Sequence, residues 1–215
     1  MPTKKRMPPR RVGILFWVAS FLRGAGIVCT MVLLVGCGRQ RGDAVRHTED
    51  VTPGFEEIDG SNDTSGWLTY QGEGWSISYP SLFSADTTGY LDSSLILYSA
   101  LTDDGDQYAD NISVSVVDLA GVAADLDGYV ERCEQLITQY TEQPAIMLSD
   151  RRRKNGLVYH KLVYSEQQPA FRLIRVQHLM ASQGKVYVVT LTCEDAVYDL
   201  CKETGEVIMN SFTLK

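Results

Sequence analysis

The strongest constraint on the fold is a file of three alternating segments separated by turn signals. IMLSDRRRKNGLVYHKLVYSEQ (146–167), FRLIRVQHLMA (171–181) and KVYVVTLTC (185–193) are rich in β-branched and aromatic residues. The first is broken by Asn155-Gly156, a strong hairpin dipeptide. The last two are joined by Ser182-Gln183-Gly184, another tight turn. Strands linked by such short turns must run antiparallel, because a parallel pair needs a long crossover. An antiparallel sheet is therefore expected.

The flanking sequence extends this pattern. WLTY (67–70) and WSISYP (75–80) bracket a QGEG turn, and Pro80 ends its strand because it has no N–H for a ladder. SLILYSA (94–100) and NISVSVVDL (111–119) predict two more strands, with a turn or loop over 102–110. Within 125–140 the period changes. Leu126, Tyr129, Val130, Cys133, Leu136, Ile137 and Tyr140 recur at helical spacing, and Pro144 lies just beyond. Cys133 on this face is expected to be a small buried thiol. A second helix is predicted in EDAVYDLCKETGEVIMNSF (194–212), with acids in its first turn. Its expected stripe is Val197, Leu200, Cys201, Val207 and Ile208. The predicted class is α+β, an antiparallel β-sheet packed by two amphipathic helices, over residues 67–215.

The chain before this domain carries an address. Lys4, Lys5, Arg6, Arg10 and Arg11 precede VGILFWVASFL, then Arg23, then GAGIVCTMVLLVG and Cys37. A basic start, an apolar core and small residues before a cut mark a secretory signal over 1–36. The rival is an uncleaved helix from Val12 to Gly36, long enough to span a bilayer. That helix would place Arg23 near the bilayer centre, at about 2.5–3.5 kcal/mol. Leu34-Val35-Gly36-Cys37 resembles the lipobox of bacterial lipoproteins, in which the cysteine thiol takes a diacylglycerol and becomes residue one. The resemblance implies lipidation of Cys37 and a membrane partnership through that lipid. Residues 37–66 are rich in Gly, Asp, Glu, Thr and Ser and poor in large apolar groups, as a flexible acidic linker would be. The whole chain has a formal charge of −7. Losing the six basic side chains of the signal makes the remainder more acidic still. Such a balance argues against nucleic acid, whose binding rests on phosphate neutralisation.

Several stretches are similar to one family. Gly74-Trp75-Ser76-Ile77-Ser78-Tyr79-Pro80 resembles the opening strand of the PsbP-like superfamily. Asn111-Ile112-Ser113-Val114 resembles its central strand, followed by a helix as at 126–140. Gly184-Lys185-Val186-Tyr187-Val188-Val189-Thr190 and Ser211-Phe212 resemble its last strand and end. The superfamily includes the extrinsic PsbP subunit of photosystem II, the yeast Ran-binding protein Mog, and DcrB-like and LpqN-like bacterial lipoproteins. Leu82-Phe83 departs from the tryptophan often found after Tyr-Pro. The resemblance covers residues 67–215 and implies a non-enzymatic binding or assembly protein. No partner-binding motif matches, so no functional residue is carried over.

Chemistry-bearing residues are sparse. If the second hairpin turns near Gln167-Gln168, His160 falls opposite Arg175 and not near His178, which disfavours a shared metal site. Asp103, Asp104, Asp106 and Asp110 miss the spacing of a calcium loop and are expected to form a solvated turn. Arg151, Arg152, Arg153 and Lys154 form the only basic run of the 67–215 domain, either steering an acidic partner or guarding a strand edge. There is no G-x-S-x-G and no phosphate-cradling glycine loop. Cys193 and Cys201 are open between a disulfide and two free thiols. A continuous helix between them would hold them about 12 Å apart, beyond the roughly 7 Å a disulfide allows. A bond therefore requires 194–198 to be a loop. No metal and no cofactor is expected. The expected function is that of a cell-envelope lipoprotein whose domain binds another envelope protein. Small-molecule or metal-ion binding and an unrecognised hydrolase are the rivals.

Overall fold

The computed structural model describes residues 65–101, 108–120, 122–123, 125–154 and 156–215. The expectations for the signal segment, Cys37, most of the linker, Asp103, Asp104 and Asp106 lie outside them. The described chain runs β1 (Trp67–Gly72), β2 (Trp75–Pro80), β3 (Ser84–Asp86), β4 (Leu95–Tyr98), β5 (Asn111–Asp118), α1 (Leu126–Tyr140), β6 (Ala145–Lys154), β7 (Leu157–Gln167), β8 (Arg172–Ser182), β9 (Lys185–Glu194), α2 (Tyr198–Asn210) and β10 (Thr213–Leu214).

All strand pairs are antiparallel, as the turns require. They form two sheets, however, not the single sheet expected. One has the order β1-β2-β10 and the other β3-β4-β5-β9-β8-β7-β6. β10 was not foreseen because two residues carry no periodicity. It reaches β2 only because α2 delivers it there. Ser211 at the end of α2 fastens that join. It accepts from the Ser78 N–H (2.8 Å) and donates to the Ser78 carbonyl (3.0 Å).

The central strands of the large sheet, β9 above all, are buried on both faces. Tyr187, Val189, Leu191 and Cys193 of β9 face α2 and the small sheet, while Val186 and Val188 face α1. A strand buried on both faces reads as a continuous apolar run, which holds for Val186–Val189 before Thr190 and Thr192 interrupt it. The β8–β9 turn closes with Ser182 paired to Lys185, and Gln183 and Gly184 both at positive φ (52° and 75°). That is the hairpin turn whose twist suits antiparallel strands.

α1 begins where Asp125 accepts from the Gly128 N–H at 2.9 Å, a side-chain N-cap. Leu126, Tyr129, Val130, Cys133 and Ile137 are buried as its period predicts, while Tyr140 is exposed. Cys133 is 1% exposed on the inward face of α1, buried as its position in the repeat predicts.

α2 corrects the predicted stripe. Leu200 is 81% exposed and Val197 lies near the surface. The inward residues are Gly205, Ile208 and Met209, with Cys201 half-buried. Ile208 and Cys201 of the predicted stripe do face the core, whereas Val197 and Leu200 do not. Residues Asp195–Val197 form a separate 3-10 turn, so the helix starts at Tyr198 and its rotation is set by its C-terminal half.

Candidate functional site

Three regions carry the chemistry of the fold. The first is the edge formed by β6. It is the last strand of the large sheet and pairs only with β7 among the described residues. Its register shifts between Ile146 and Leu148, a β-bulge that bends the strand at Met147. Ile146 and Met147 are exposed.

The basic run occupies the other half of β6. Arg151 is paired with Asp127 of α1, and Arg152 with Asp150 at 2.7 Å. Arg153 is exposed and Lys154 is half-buried. Burial lowers the pKa of Lys154. Arg151 and Arg152 thus engage acids of this same chain. Next to them, Ser149 is hydrogen-bonded to His160 Nε2 (2.7 Å) and donates to Glu134 of α1.

The second region is a polar file across the α1 face of β7, β8 and β9, beyond the apolar patch under α1. Glu166, Gln177, Thr190 and Thr192 are buried. Gln177 Nε2 donates to Thr190 Oγ1 at 3.3 Å and Arg175 Nη1 to Thr192 Oγ1 at 3.3 Å. Glu166 Oε1 accepts from Arg175 Nε (2.9 Å), Arg175 Nη2 (2.7 Å) and Gln168 Nε2 (3.1 Å). Burial pushes the Tyr164 and Tyr108 hydroxyls up to about 12, despite the opposing charge of Arg175. Sequence reasoning missed this file. The available signal was polar residues at alternate positions of strands otherwise apolar on both faces: 175 and 177 in β8, 190 and 192 in β9.

The third region is at the end of β9. The β9 strand ends at Glu194 and the 3-10 turn Asp195–Val197 folds the chain back, so no continuous α-helix joins Cys193 to Cys201. This brings Cys201 over Cys193. Both are free thiols here, and the ligating atoms of Cys193, Cys201 and Asp110 all lie within 4.8 Å of one another. Cys201 Sγ donates to the Tyr198 carbonyl at 3.4 Å. The hydrogen bond with Cys201, and then burial, push the Cys193 thiol up.

The histidines are placed differently from expectation. The β7–β8 connection spans Gln168–Phe171, so His160 faces Leu179 and Arg175 faces Tyr164. His160 and Arg175 are therefore not opposite, because the turn centre lies beyond Gln167-Gln168. His178 pairs with Lys161, which puts the two histidine side chains on opposite faces of the sheet. His178 is buried against Tyr159 (ring centroids 4.4 Å apart), and its Nε2 has no hydrogen-bond partner among the described residues.

Burial, with the charges of Lys161 and Lys154, holds the His178 imidazole down at about 3. The unfolded chain takes up this proton near 6.5 and the folded protein does not. The contribution to stability is therefore complete above 6.5 and lost as pH falls towards 3. His178 alone costs the wild type about 2 kcal/mol between pH 7 and pH 5. His178→Phe is expected to remove that part of the loss, measured by urea unfolding at both pH values. An equal loss in variant and wild type would assign it to other groups.

A cleft of about 340 Å³ opens between the small sheet and the β5–β9 end of the large one. Glu73, Asp118 and Lys185 supply its charges and Tyr70 and Trp75 its aromatic wall. It contains one tyrosine and lies away from the helices, unlike the tyrosine-lined pocket between sheet and helices that small-molecule binding would require.

No protein-family model and no curated protein matches the chain. Among solved structures it is similar to the solution structure of cyanobacterial PsbP (CyanoP) from Synechocystis sp. PCC 6803. The TM-score is 0.52 at 16% identity, over 73% of this chain and 96% of that one. The domain has the PsbP-like fold. A Pseudomonas aeruginosa protein of unknown function matches with a TM-score of 0.50 at 17% identity, over 69% of this chain and 97% of its own. The similarity is one of fold: antiparallel sheets with two helices. At these identities it assigns no site, so the three regions above stand on their own geometry.

Proposed function

We propose that this chain is a cell-envelope lipoprotein whose PsbP-like domain binds another envelope protein and catalyses no reaction. In this reading 1–36 is a cleaved signal, Cys37 carries the lipid, and 37–66 tethers the domain on the extracytoplasmic side. The observation that carries the anchor is Leu34-Val35-Gly36-Cys37 at the end of an apolar segment with a basic start. Lasting attachment takes more than one acyl chain, since a single chain binds only marginally. Among the described residues no helix is long and apolar enough to cross a membrane.

The binding half of the proposal is supported by β6. Among the described residues β6, a strand of 10 residues, pairs only with β7 and so presents the N–H and C=O groups of its other side as an open edge. An extended segment of a partner can add to such an edge.

Intact-mass analysis from the native membrane fraction tests the anchor. The expected species begins at Cys37 with added acyl mass, and Cys37→Ala abolishes it. An unmodified chain retaining 1–36 would replace the lipid anchor with an uncleaved helix. Chemical crosslinking in the same membranes is expected to join the domain to a protein partner. Recovery of none above background would remove the binding reading and leave the anchor intact.

A further inference from the structure

We propose that Asp110, Cys193 and Cys201 form a three-donor site for a thiophilic divalent cation of the zinc type. Three separate elements build it. Cys193 sits at the end of β9, Asp110 immediately precedes β5, and Cys201 is in the first turn of α2. Since Asn111 pairs with Thr192, the β5–β9 register continues to set Asp110 beside Cys193. The 3-10 turn Asp195–Val197 then folds α2 back so that Cys201 completes the group.

The geometry suits one ion. No two donor atoms are more than 4.8 Å apart. Ligands 2.0–2.3 Å from a tetrahedral zinc stand about 3.3–3.8 Å from one another. Rotamer shifts of about 1 Å close the triangle, leaving the fourth position for water or an external group. Two sulphurs and a carboxylate oxygen favour zinc and its softer congeners over calcium or magnesium, which take oxygen ligands. Cys193 is buried, whereas Cys201 and Asp110 are half-buried, so an ion can enter from the α2 side. On binding, each thiol gives up its proton to solvent and its sulphur bonds to the metal. The two thiolates and the carboxylate then face a dication.

The third donor distinguishes this site from a disulfide. An S–S bond would join the two sulphurs and involve no carboxylate. A cation uses all three. The proposal is independent of how the chain is anchored.

The test uses cobalt(II) as the probe on the full-length chain, purified in detergent and kept reduced with a phosphine. The double variant Cys193→Ser/Cys201→Ser gives the background from the other cysteines. The expected result is a sulphur-to-cobalt charge-transfer band above that background, saturating at one equivalent and bleached by zinc. Cys201→Ser, at a half-exposed position, should lose the band while keeping its far-UV circular dichroism. Asp110→Asn should weaken cobalt binding about tenfold or more. Three results would overturn the site: no band although both thiols react with a thiol reagent, unchanged cobalt affinity in Asp110→Asn, or a Cys193–Cys201 disulfide in chain isolated from its own membranes.

Discussion

Arg175→Met is expected to destabilise the domain by about 3 kcal/mol, towards the lower end of what breaking a buried ion pair costs. Glu166 is the reason. It is 5% exposed, and its Oε1 accepts two of its three hydrogen bonds from Arg175. Methionine fills a similar volume but leaves Glu166 Oε1 with Gln168 alone among the hydrogen-bond donors of the described residues. A buried charge without its partner is worse than no charge. The Arg175 side chain keeps 29% of its surface, and water reaching it moderates the cost. The double variant Arg175→Met/Glu166→Gln should therefore recover much of the loss, because the stranded charge is gone. Urea unfolding of the three proteins forms the cycle. A single-variant loss below about 1 kcal/mol would mean that the pair behaves as a surface ion pair.

Trp75→Ala should cost about 3–5 kcal/mol, the range for a large aromatic removed from a core. Trp75 is 2% exposed and joins the layers. Its ring stacks on Phe212 (5.6 Å) beyond α2 and lies 5.5 Å from Tyr70 of β1. The fit is close enough to dictate its neighbour. A Cβ on Gly72 would fall 2.1 Å from the indole, so position 72 tolerates no side chain while Trp75 is in place. Removing the indole leaves a cavity between the small sheet and the large one, and the hairpin β1–β2 should loosen first. Tyr140→Ala, at 46% exposure, is the control and should cost little. Calorimetry would compare the two. A Trp75 effect no larger than that of Tyr140 would show that the small sheet does not depend on its indole.

Eight of the ten strands among the described residues, their antiparallel sense and α1 were legible in the sequence because each depends on near neighbours; β3 (Ser84–Asp86) and β10 were not. Gln183-Gly184 sets its own turn, Asp125 caps its own helix, and the spacing from Leu126 to Ile137 follows from one helical repeat. The PsbP-like order of elements followed from these pieces in succession. Other features depend on where distant segments meet. β10 pairs with β2 because α2 ends beside Ser78. The phase of α2 is set by burial of Ile208 and Met209 rather than by its first apolar residues. The β7–β8 register depends on how many residues the connection takes up, and its displacement from Gln167-Gln168 moved His160 opposite Leu179. The same holds for the sites. The proposed lipobox is contiguous, so the sequence alone can suggest it, whereas the Arg175–Glu166 pair and the Asp110, Cys193 and Cys201 group join residues that are distant along the chain. Periodicity and turn chemistry act over a few residues, but which far segments come together is settled by the packing of the whole core.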